Sequence, residues 1–371
     1  MYFHKSKYSQ LDDLLNRIGE KLQLNSEMNE NVSKKYDEVY EVLNKNTDIK
    51  GNIYAQGSYA LQTTVKPLGR DDFDLDAVVQ LDKMWDKTLS AIELLDNVYT
   101  GLLKEYPKAK KKNRCVRVPF TGFHLDIVPA MPYDENDLTK IKVPNTETDS
   151  WKESCPKGYI KWFEDQCKMT SVLLEKCAVY NLTQEELTEQ VPYEIKPPLK
   201  IAVQLAKRYR DVYFKNDEDN IPPSIVLTTL FGLHYDESYS EFNAIKNILK
   251  NILKVIQQTD GVLVIYNPSN EDEEITECWK NNEVRYNKFC DFIKSFIEKW
   301  DKLEKESDYE KIREILDEMF DENVGQTVVL EQAIYMAEQR RKENLAVSTT
   351  GVLTNQKDSS IPVRKNHFFG E

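Results

Sequence analysis

The chain has 371 residues and a formal net charge of −13. Its length is too great for one compact core and predicts two lobes, and no apolar run approaches the roughly 20 residues of a membrane span. Because binding to a long nucleic acid depends on Lys and Arg that neutralise phosphates, so acidic a protein is not expected to use a polymeric template.

The N-terminus and the cysteines indicate where the protein works. Residues 1–7 lack the apolar core of a signal peptide, so we expect a cytoplasmic protein with no membrane contact. The six cysteines are scattered and include no C-x-x-C pair. We therefore expect reduced, mostly buried thiols rather than a disulfide framework or a zinc site.

The first 105 residues alternate between helix and strand patterns. Residues 8–47 have apolar side chains at helical spacing with a polar break near Asn25 and Ser26, which predicts two helices that brace both lobes. A short strand is predicted at 53–55, and residues 73–81 alternate between polar and apolar as a strand does. A helix is predicted from about 87 to 105.

Two further strands follow. Residues 114–120 alternate as a strand, Thr121-Gly122 is a turn signal, and residues 123–128 are predicted to return as the antiparallel partner. Residues 133–150 are polar and are predicted to form a loop. The basic cluster at 108–114 is interpreted as a solvated loop rather than a nucleic-acid groove.

The rest of the chain is predicted to be mainly helical. Pro197-Pro198 and Pro222-Pro223 each precede an apolar helical pattern, as proline does at helix starts. Residues 262–265 are predicted as a short strand. The helices are predicted at about 159–180, 199–213, 224–233, 242–256, 281–305, 308–321 and 326–344.

These elements predict an α+β fold in which a mixed-sheet lobe is followed by a helical lobe, with a cleft between them. We divide the chain into bracing helices, a catalytic lobe, a helical nucleotide-binding lobe and a mobile tail. The predicted bounds are 1–50, 51–155, 156–345 and 346–371.

The most informative residues are three aspartates on two predicted strands. Asp74 and Asp76 are two residues apart, so they project from the same strand face. An isolated Asp-x-Asp usually lies on a solvated face, but the apolar residues that alternate with these two along the strand require a buried opposite face: Phe73, Leu75, Ala77 and Val79. Asp126 on a second strand supplies a third carboxylate. Clustered carboxylates are costly unless cations neutralise them, and the three suit two Mg²⁺ ions ~3.5–4 Å apart, with Mn²⁺ as an alternative.

Three other segments are candidates for phosphate binding. Gly57 lets the backbone approach an oxyanion, and Ser58 adds a hydroxyl, although Gly-Ser alone is a weak motif. Lys207 lies in a basic run that is ordinarily a solvated helix face, an interpretation that we keep for Arg210. Facing the cleft, Lys207 would bind a triphosphate as a point charge. Ser224, after Pro222-Pro223, would do so with its hydroxyl.

These residues resemble a known family. The segments 56–58, 72–76 and 124–130 are similar to the motifs of polymerase-β-like nucleotidyltransferases, and within them to the bacterial cGAS/DncV-like nucleotidyltransferases. The segments 199–211 and 223–227 resemble that family's second-lobe nucleotide contacts. Tyr266-Asn267-Pro268 followed by Trp279 is similar to an element of oligoadenylate synthetases. The animal members of this family that sense DNA have a DNA-binding insertion with a zinc-binding cysteine cluster. The sequence has no such cluster, so this insertion is not expected here.

The resemblance implies an enzyme that joins ATP or other nucleoside triphosphates into a cyclic di- or trinucleotide. In bacteria such enzymes belong to the antiphage system CBASS, where the product activates an effector and accessory proteins take part. By position, Asp74, Asp76 and Asp126 take the metal role. Gly57, Ser58, Lys207 and Ser224 take the nucleotide-binding role.

Two other classes of function remain open at this stage. The same fold joins nucleotides to other acceptors, namely a linear oligoadenylate, an RNA 3′ end or a small antibiotic. A non-catalytic nucleotide-binding partner is the second alternative, although all three acids are present. The sequence does not determine the base, the linkage, the product size or the activating signal.

Overall fold

The structure is a computed structural model. It describes residues 10–47, 50–69, 72–167, 190, 193, 196–238 and 240–342, and the backbone of three short strands between 346 and 362. Within these residues, no helix is both long and apolar enough to cross a membrane. The five described cysteines are free, and their reduced state stays a prediction: Cys115, Cys155, Cys167, Cys278 and Cys290. Cys177 lies outside the described residues.

Seven strands form one mixed sheet. The central order is β1-β2-β5-β4-β3, and β6 and β7 extend the sheet from β5. β2 and β5 are parallel, and the other neighbours are antiparallel, including the predicted β4–β5 pair. The strands are β1 (Gly51–Gln56), β2 (Phe73–Leu81), β3 (Lys110–Lys111), β4 (Val116–Pro119), β5 (Phe123–Pro132), β6 (Ile141–Asn145) and β7 (Ser150–Ser154).

One face of this sheet is covered by helices. Leu75, Ala77, Leu125 and Ile127 pack against α2 (Ser26–Asn46) and α4 (Ala91–Leu103), and the short helix α3 (Gly57–Ala60) follows β1. Since strand residues alternate between faces, the residues between them must point to the opposite side. That side carries the predicted acids.

The second core is made of helices. It contains apolar residues of α1 (Gln10–Lys21), and of the helices that follow the sheet. The prediction of two N-terminal helices is confirmed, since Asn25 caps α2 by accepting a hydrogen bond from the amide of Met28. The later helices are α5 (Pro156–Gln166), α6 (Pro198–Tyr213), α7 (Ser224–His234), α8 (Glu241–Gln258), α9 (Glu283–Lys305), α10 (Tyr309–Phe320) and α11 (Val324–Arg341).

Two local predictions differ from the structure, and a third lies partly outside the described residues. The predicted loop 133–150 includes β6 and the start of β7, because Ile141 and Val143 are buried at alternating positions. The strand predicted at 262–265 is wrong, and a hairpin of β8 (Tyr266–Asn267) and β9 (Asn270–Glu274) follows it instead. The predicted helix 159–180 is described only as far as α5, and the rest lies outside the described residues.

The ends of the sheet and of the chain complete the fold. Most of the basic cluster 108–114 is exposed, and it supplies β3 at the sheet edge, where lysines oppose pairing with another chain. The segment 346–371 includes β10 (Ala346–Ser348), β11 (Leu353–Thr354) and β12 (Ser360–Pro362). Its prediction as a mobile tail, like the division at residues 51, 156 and 346, stays a prediction.

Candidate active site

The three predicted acids lie together on the open face of the sheet. In the parallel β2–β5 pair, Asp76 is directly opposite Asp126. Asp74 is two residues from Asp76 on the same face, opposite His124. Asp126 is 8% exposed, whereas Asp74 is exposed to solvent. The sequence pattern therefore placed all three carboxylates correctly relative to one another.

Gly57 is in contact with this cluster. It follows β1 directly, and the last pair of the β1–β2 ladder joins Gln56 to Asp76. Its φ of +62° lies in the left-handed region, which favours glycine. A Cβ at this position would also collide with Oδ2 of Asp76. Gly57 is thus required for both its backbone conformation and the space beside the acid.

Arg117 is a member of the site that the sequence reasoning missed. Its Nε donates to Asp126 Oδ1 at 2.8 Å and its Nη2 to Asp126 Oδ2 at 2.7 Å. Nη2 also lies 3.0 Å from Oδ1 of Asp74. The sequence did contain a signal for this contact. If residues 114–120 and 123–128 pair as antiparallel strands about the two-residue turn, Arg117 lies opposite Asp126, and the structure shows this pairing.

Burial, with a smaller contribution from the charges of neighbouring acids, raises the pKa values of Asp76 and Asp74. The pKa of Asp76 rises to about 7, chiefly through burial and then through the charges of Asp126 and Asp74. The charges of Lys207 and Arg117 act against this rise. Burial also raises the pKa of Asp74, with the guanidinium of Arg117 opposing it. Repulsion among the three acids thus adds to the effect of burial at Asp76.

Two other side chains border the acids. Nδ1 of His124 lies 3.7 Å from Asp74 Oδ1, and its Nε2 lies 3.7 Å from Asp72 Oδ2. The Cys115 thiol hydrogen-bonds to Asp126, and burial raises its pKa to about 12, helped by the charges of Asp126 and Asp76. A thiol held in this protonated form is a poor nucleophile.

Ser58 is held by the loop that follows it. Its carbonyl accepts a hydrogen bond from the amide of Thr63 at 2.8 Å, and its hydroxyl lies 3.1 Å from the hydroxyl of Thr64. Ser58 remains partly exposed, next to Gly57 and hence next to Asp76. Its phosphate-binding role stays a prediction, and its position beside the acids is compatible with it.

The basic run on α6 is buried, so its interpretation as a solvated helix face is wrong. Side chains spaced three or four residues apart fall on one helix face, and here that face meets the loop 62–66. Together with Lys196, which lies just before α6, we call these side chains the polar stripe: Lys196, Lys200, Gln204, Lys207 and Arg208. On the loop their acceptors are, in order, the Gln62 carbonyl, the Gln62 side chain, and the carbonyls of Thr64, Thr63 and Lys66. Outside the loop, Lys196 also donates to the side chain of Gln23, and Lys200 pairs with Glu164 at 2.6 Å.

Lys207 therefore contacts the loop rather than an open cleft. It is 4% exposed, and its Nζ donates to the Thr63 carbonyl at 3.1 Å. Burial lowers its pKa to about 7, with a further lowering from the charge of Arg210 and an opposing effect of Asp76. Its triphosphate role stays a prediction; the contact that the structure shows is with the loop that holds Ser58.

Ser224 lies at the start of α7, as predicted, but its hydroxyl already has a partner. It accepts a hydrogen bond of 2.5 Å from Nη1 of Arg210. Arg210 also pairs with Asp211 and donates to the Pro222 carbonyl. The interpretation of Arg210 as a solvated residue is wrong, because its side chain is 12% exposed. The structure shows no contact between Ser224 and the acids.

Comparison with known proteins identifies the family. The model of the second messenger oligonucleotide or dinucleotide synthetase domain matches residues 9–167. A curated c-di-GMP synthase of Roseivirga ehrenbergii is 30% identical over 374 residues, which is 98% of both chains. The chain is a cGAS/DncV-like nucleotidyltransferase.

Solved structures of relatives share the fold. The CdnG enzyme of Bradyrhizobium diazoefficiens, solved with GTP, superposes with a TM-score of 0.72 at 20% identity and covers 88% of this chain and 100% of its own. The cyclic AMP-GMP synthase DncV of Vibrio cholerae, solved with a linear pppA(3′,5′)pG intermediate, gives 0.62 at 14% identity, covering 85% and 96%. The predicted bilobed nucleotidyltransferase fold is therefore confirmed.

The donor set of this nucleotidyltransferase fits a divalent metal. Three carboxylates on one face are the hard oxygen ligands that Mg²⁺ and Mn²⁺ take. The pKa of Asp76 is raised first by burial and then by the charges of Asp126 and Asp74, and a bound cation would oppose both effects. Among the described side chains, however, no three His, Cys, Asp or Glu residues converge to hold a metal as they stand. In this arrangement Arg117 engages both oxygens of Asp126 and one of Asp74.

Proposed function

We propose that this nucleotidyltransferase joins two nucleoside triphosphates into a cyclic dinucleotide and that GTP is among its substrates. The observation that carries the proposal is the set of Asp74, Asp76 and Asp126 on one sheet face, with Gly57 against Asp76. The dinucleotide product and the guanine base are inferred from the c-di-GMP synthase, which is similar over nearly its whole length.

The reaction requires two similar steps. A ribose hydroxyl of one nucleotide attacks the α-phosphorus of another, a P–O bond forms, the bond to the β-phosphate bridge breaks, and pyrophosphate leaves. A second attack within the linear intermediate closes the ring. Two bound Mg²⁺ ions would acidify the attacking hydroxyl and stabilise the leaving pyrophosphate.

The protein's residues would divide the work as follows. Asp74, Asp76 and Asp126 would hold the metals, and Asp126, the most buried of them, would accept the proton of the hydroxyl. Gly57 leaves room for phosphate beside Asp76, and Ser58 would donate a hydrogen bond to it. Lys207 would act through Thr63 and the loop, and the hydroxyl of Ser224 would contact a phosphate only after it leaves Arg210.

The wider role follows from the family. We propose a cytoplasmic enzyme of the antiphage system CBASS, whose cyclic nucleotide activates an effector and which works with accessory proteins. A long nucleic acid is not proposed as a partner, because the net charge is −13.

Product analysis tests this function. The purified chain is incubated with all four nucleoside triphosphates and Mg²⁺ or Mn²⁺, and the products are resolved by mass. We expect a cyclic dinucleotide containing guanine. A linear oligonucleotide, or unchanged nucleotides even with phage-derived activators and accessory proteins, would contradict the proposal.

A further inference from the structure

Arg117 and a divalent cation need the same oxygens. The guanidinium forms two parallel hydrogen bonds to the carboxylate of Asp126, and it lies 3.0 Å from Asp74 Oδ1. Such forked, charge-assisted pairs are the strong hydrogen bonds of proteins. A bound Mg²⁺ requires a carboxylate oxygen at about 2.0–2.1 Å in near-octahedral geometry. Both oxygens of Asp126 are already engaged.

The charge of Arg117 makes coexistence costly as well. A guanidinium keeps its proton in proteins, so Arg117 cannot become neutral when a divalent ion arrives. Lys207 also faces Asp76, as its effect on that acid shows. Adding a divalent ion beside a fixed guanidinium brings like charges to within a few ångströms of each other. Moving the guanidinium away relieves this repulsion.

We propose that Arg117 is a positioning residue that competes with the divalent cation for Asp126 and Asp74. This inference rests on the proposed metal-dependent function of the same acids. Without metal, Arg117 holds the two carboxylates in place and lowers their mutual repulsion. Metal binding requires the guanidinium to leave them.

The position of Arg117 allows this displacement. It lies on β4, where its side chain is 24% exposed, so it can move towards solvent without repacking the core. A displaced guanidinium remains beside the site where a triphosphate arrives. Because arginine binds phosphate through the same forked geometry, the substrate replaces the carboxylates as its partner. Nucleotide and metal binding are thereby coupled.

The test measures Mn²⁺ binding to the full chain without nucleotide, by electron paramagnetic resonance and by calorimetry. Arg117→Met removes both the charge and the fork, and we expect it to bind Mn²⁺ about tenfold more tightly than the wild type. Arg117→Lys keeps the charge but not the fork, and we expect an intermediate affinity. A merely structural role would weaken metal binding.

Arg114→Met is the matched control. Arg114 lies three residues before Arg117, and its side chain pairs with Glu277 at 3.7 Å. The substitution therefore removes a nearby positive charge that does not contact the acids. If general electrostatics governed the effect, this variant would also bind Mn²⁺ more tightly. We expect its affinity to match that of the wild type.

Each outcome has a distinct meaning. If the wild type binds Mn²⁺ and Arg117→Met binds it equally or less tightly, the inference is overturned and the proposed function stands. If neither binds Mn²⁺ with or without GTP, the metal role of the acids fails. Should Arg117→Met not fold, the wild-type Nε–H resonance of Arg117, assigned by its loss in Arg117→Lys, must shift when Ca²⁺ is added. An unchanged resonance would overturn the inference.

Discussion

The acid face of the sheet and the polar stripe both carry charged side chains, but these have different kinds of partner. On the acid face, two of the three carboxylates, those of Asp126 and Asp74, share the guanidinium of Arg117. On the polar stripe, most donors end on backbone carbonyls of the loop 62–66. A backbone carbonyl is fixed in the loop and cannot move away from its donor, whereas the side chain of Arg117 can move away from the carboxylates.

This difference separates a reactive site from its support. The acids are three carboxylates on one face, and a bound divalent cation would lower the repulsion among them. The stripe satisfies carbonyls that would otherwise be buried without donors, and so fixes the loop that holds Ser58. Substitutions on the acid face should therefore change chemistry, and substitutions on the stripe should mainly change stability.

The largest effect is expected for Asp126→Asn. It removes one negative charge without changing side-chain shape, so we expect weaker metal binding and the loss of a group that accepts the proton of the hydroxyl. We expect cyclic dinucleotide synthesis to fall on the order of a thousandfold, with the fold retained. Asp96→Asn, at an exposed acid paired with Lys111, is the control and should retain activity. Comparable activity in the two variants would remove Asp126 from the chemistry.

Gly57→Ala tests whether the space beside Asp76 matters. The new Cβ meets Asp76 Oδ2, so we expect activity to fall about a hundredfold through misplacement of the acid. Gly69→Ala is the control, since Gly69 has the same φ of +62° but nothing within 4 Å of the added Cβ. It should lose only about 1 kcal/mol of stability. Equal loss of activity in both would mean that strain alone is responsible.

Gln204→Ala tests the polar stripe. The change leaves the Thr64 carbonyl without its 2.7 Å donor in a buried setting. We expect the free energy of unfolding to fall by about 1–3 kcal/mol, while turnover per folded molecule changes much less. Denaturant titration and steady-state rates measure the two effects, with exposed Gln326→Ala as the control. A large loss of turnover at unchanged stability would make the stripe part of the reactive site.

The smallest effect is a change in the pH dependence of stability. The pKa of Asp76 is about 7 in the folded protein and 3.8 as an ordinary aspartate. The folded state therefore binds more protons between these values, and stability falls as pH rises from about 4 to 7. Asp76→Asn should remove about 1–2 kcal/mol of that fall in metal-free protein. Identical pH profiles of unfolding for the two proteins would contradict the raised pKa.

The sequence predicted the acid face more completely than the stripe for a physical reason. Asp74, Asp76 and Asp126 lie on strands whose alternation and neighbours are local properties of the chain. Arg117 was within reach by counting across one turn. The burial of Lys207 and Arg210 depends on contacts with the loop 62–66 and with Ser224, which no periodicity on α6 reveals.

The missed strands have a similar explanation. In β6, Ile141 and Val143 alternate within a polar neighbourhood, and the signal is only two residues long. β9 consists of Asn270 and four acidic residues, so it has no apolar alternation, and its pairing depends on the turn after Asn267. Short or wholly polar strands are specified by their partners more than by their own sequence.

The most direct test of the central claim supplies α-labelled GTP, the other three nucleoside triphosphates and Mg²⁺ to the wild type and counts pyrophosphate against product. Joining two nucleotides into a ring releases two pyrophosphates per product and leaves no terminal phosphate. The account predicts that ratio and a labelled product that resists phosphatase. A phosphatase-sensitive product with one pyrophosphate per molecule, or label that stays in GTP, would contradict it.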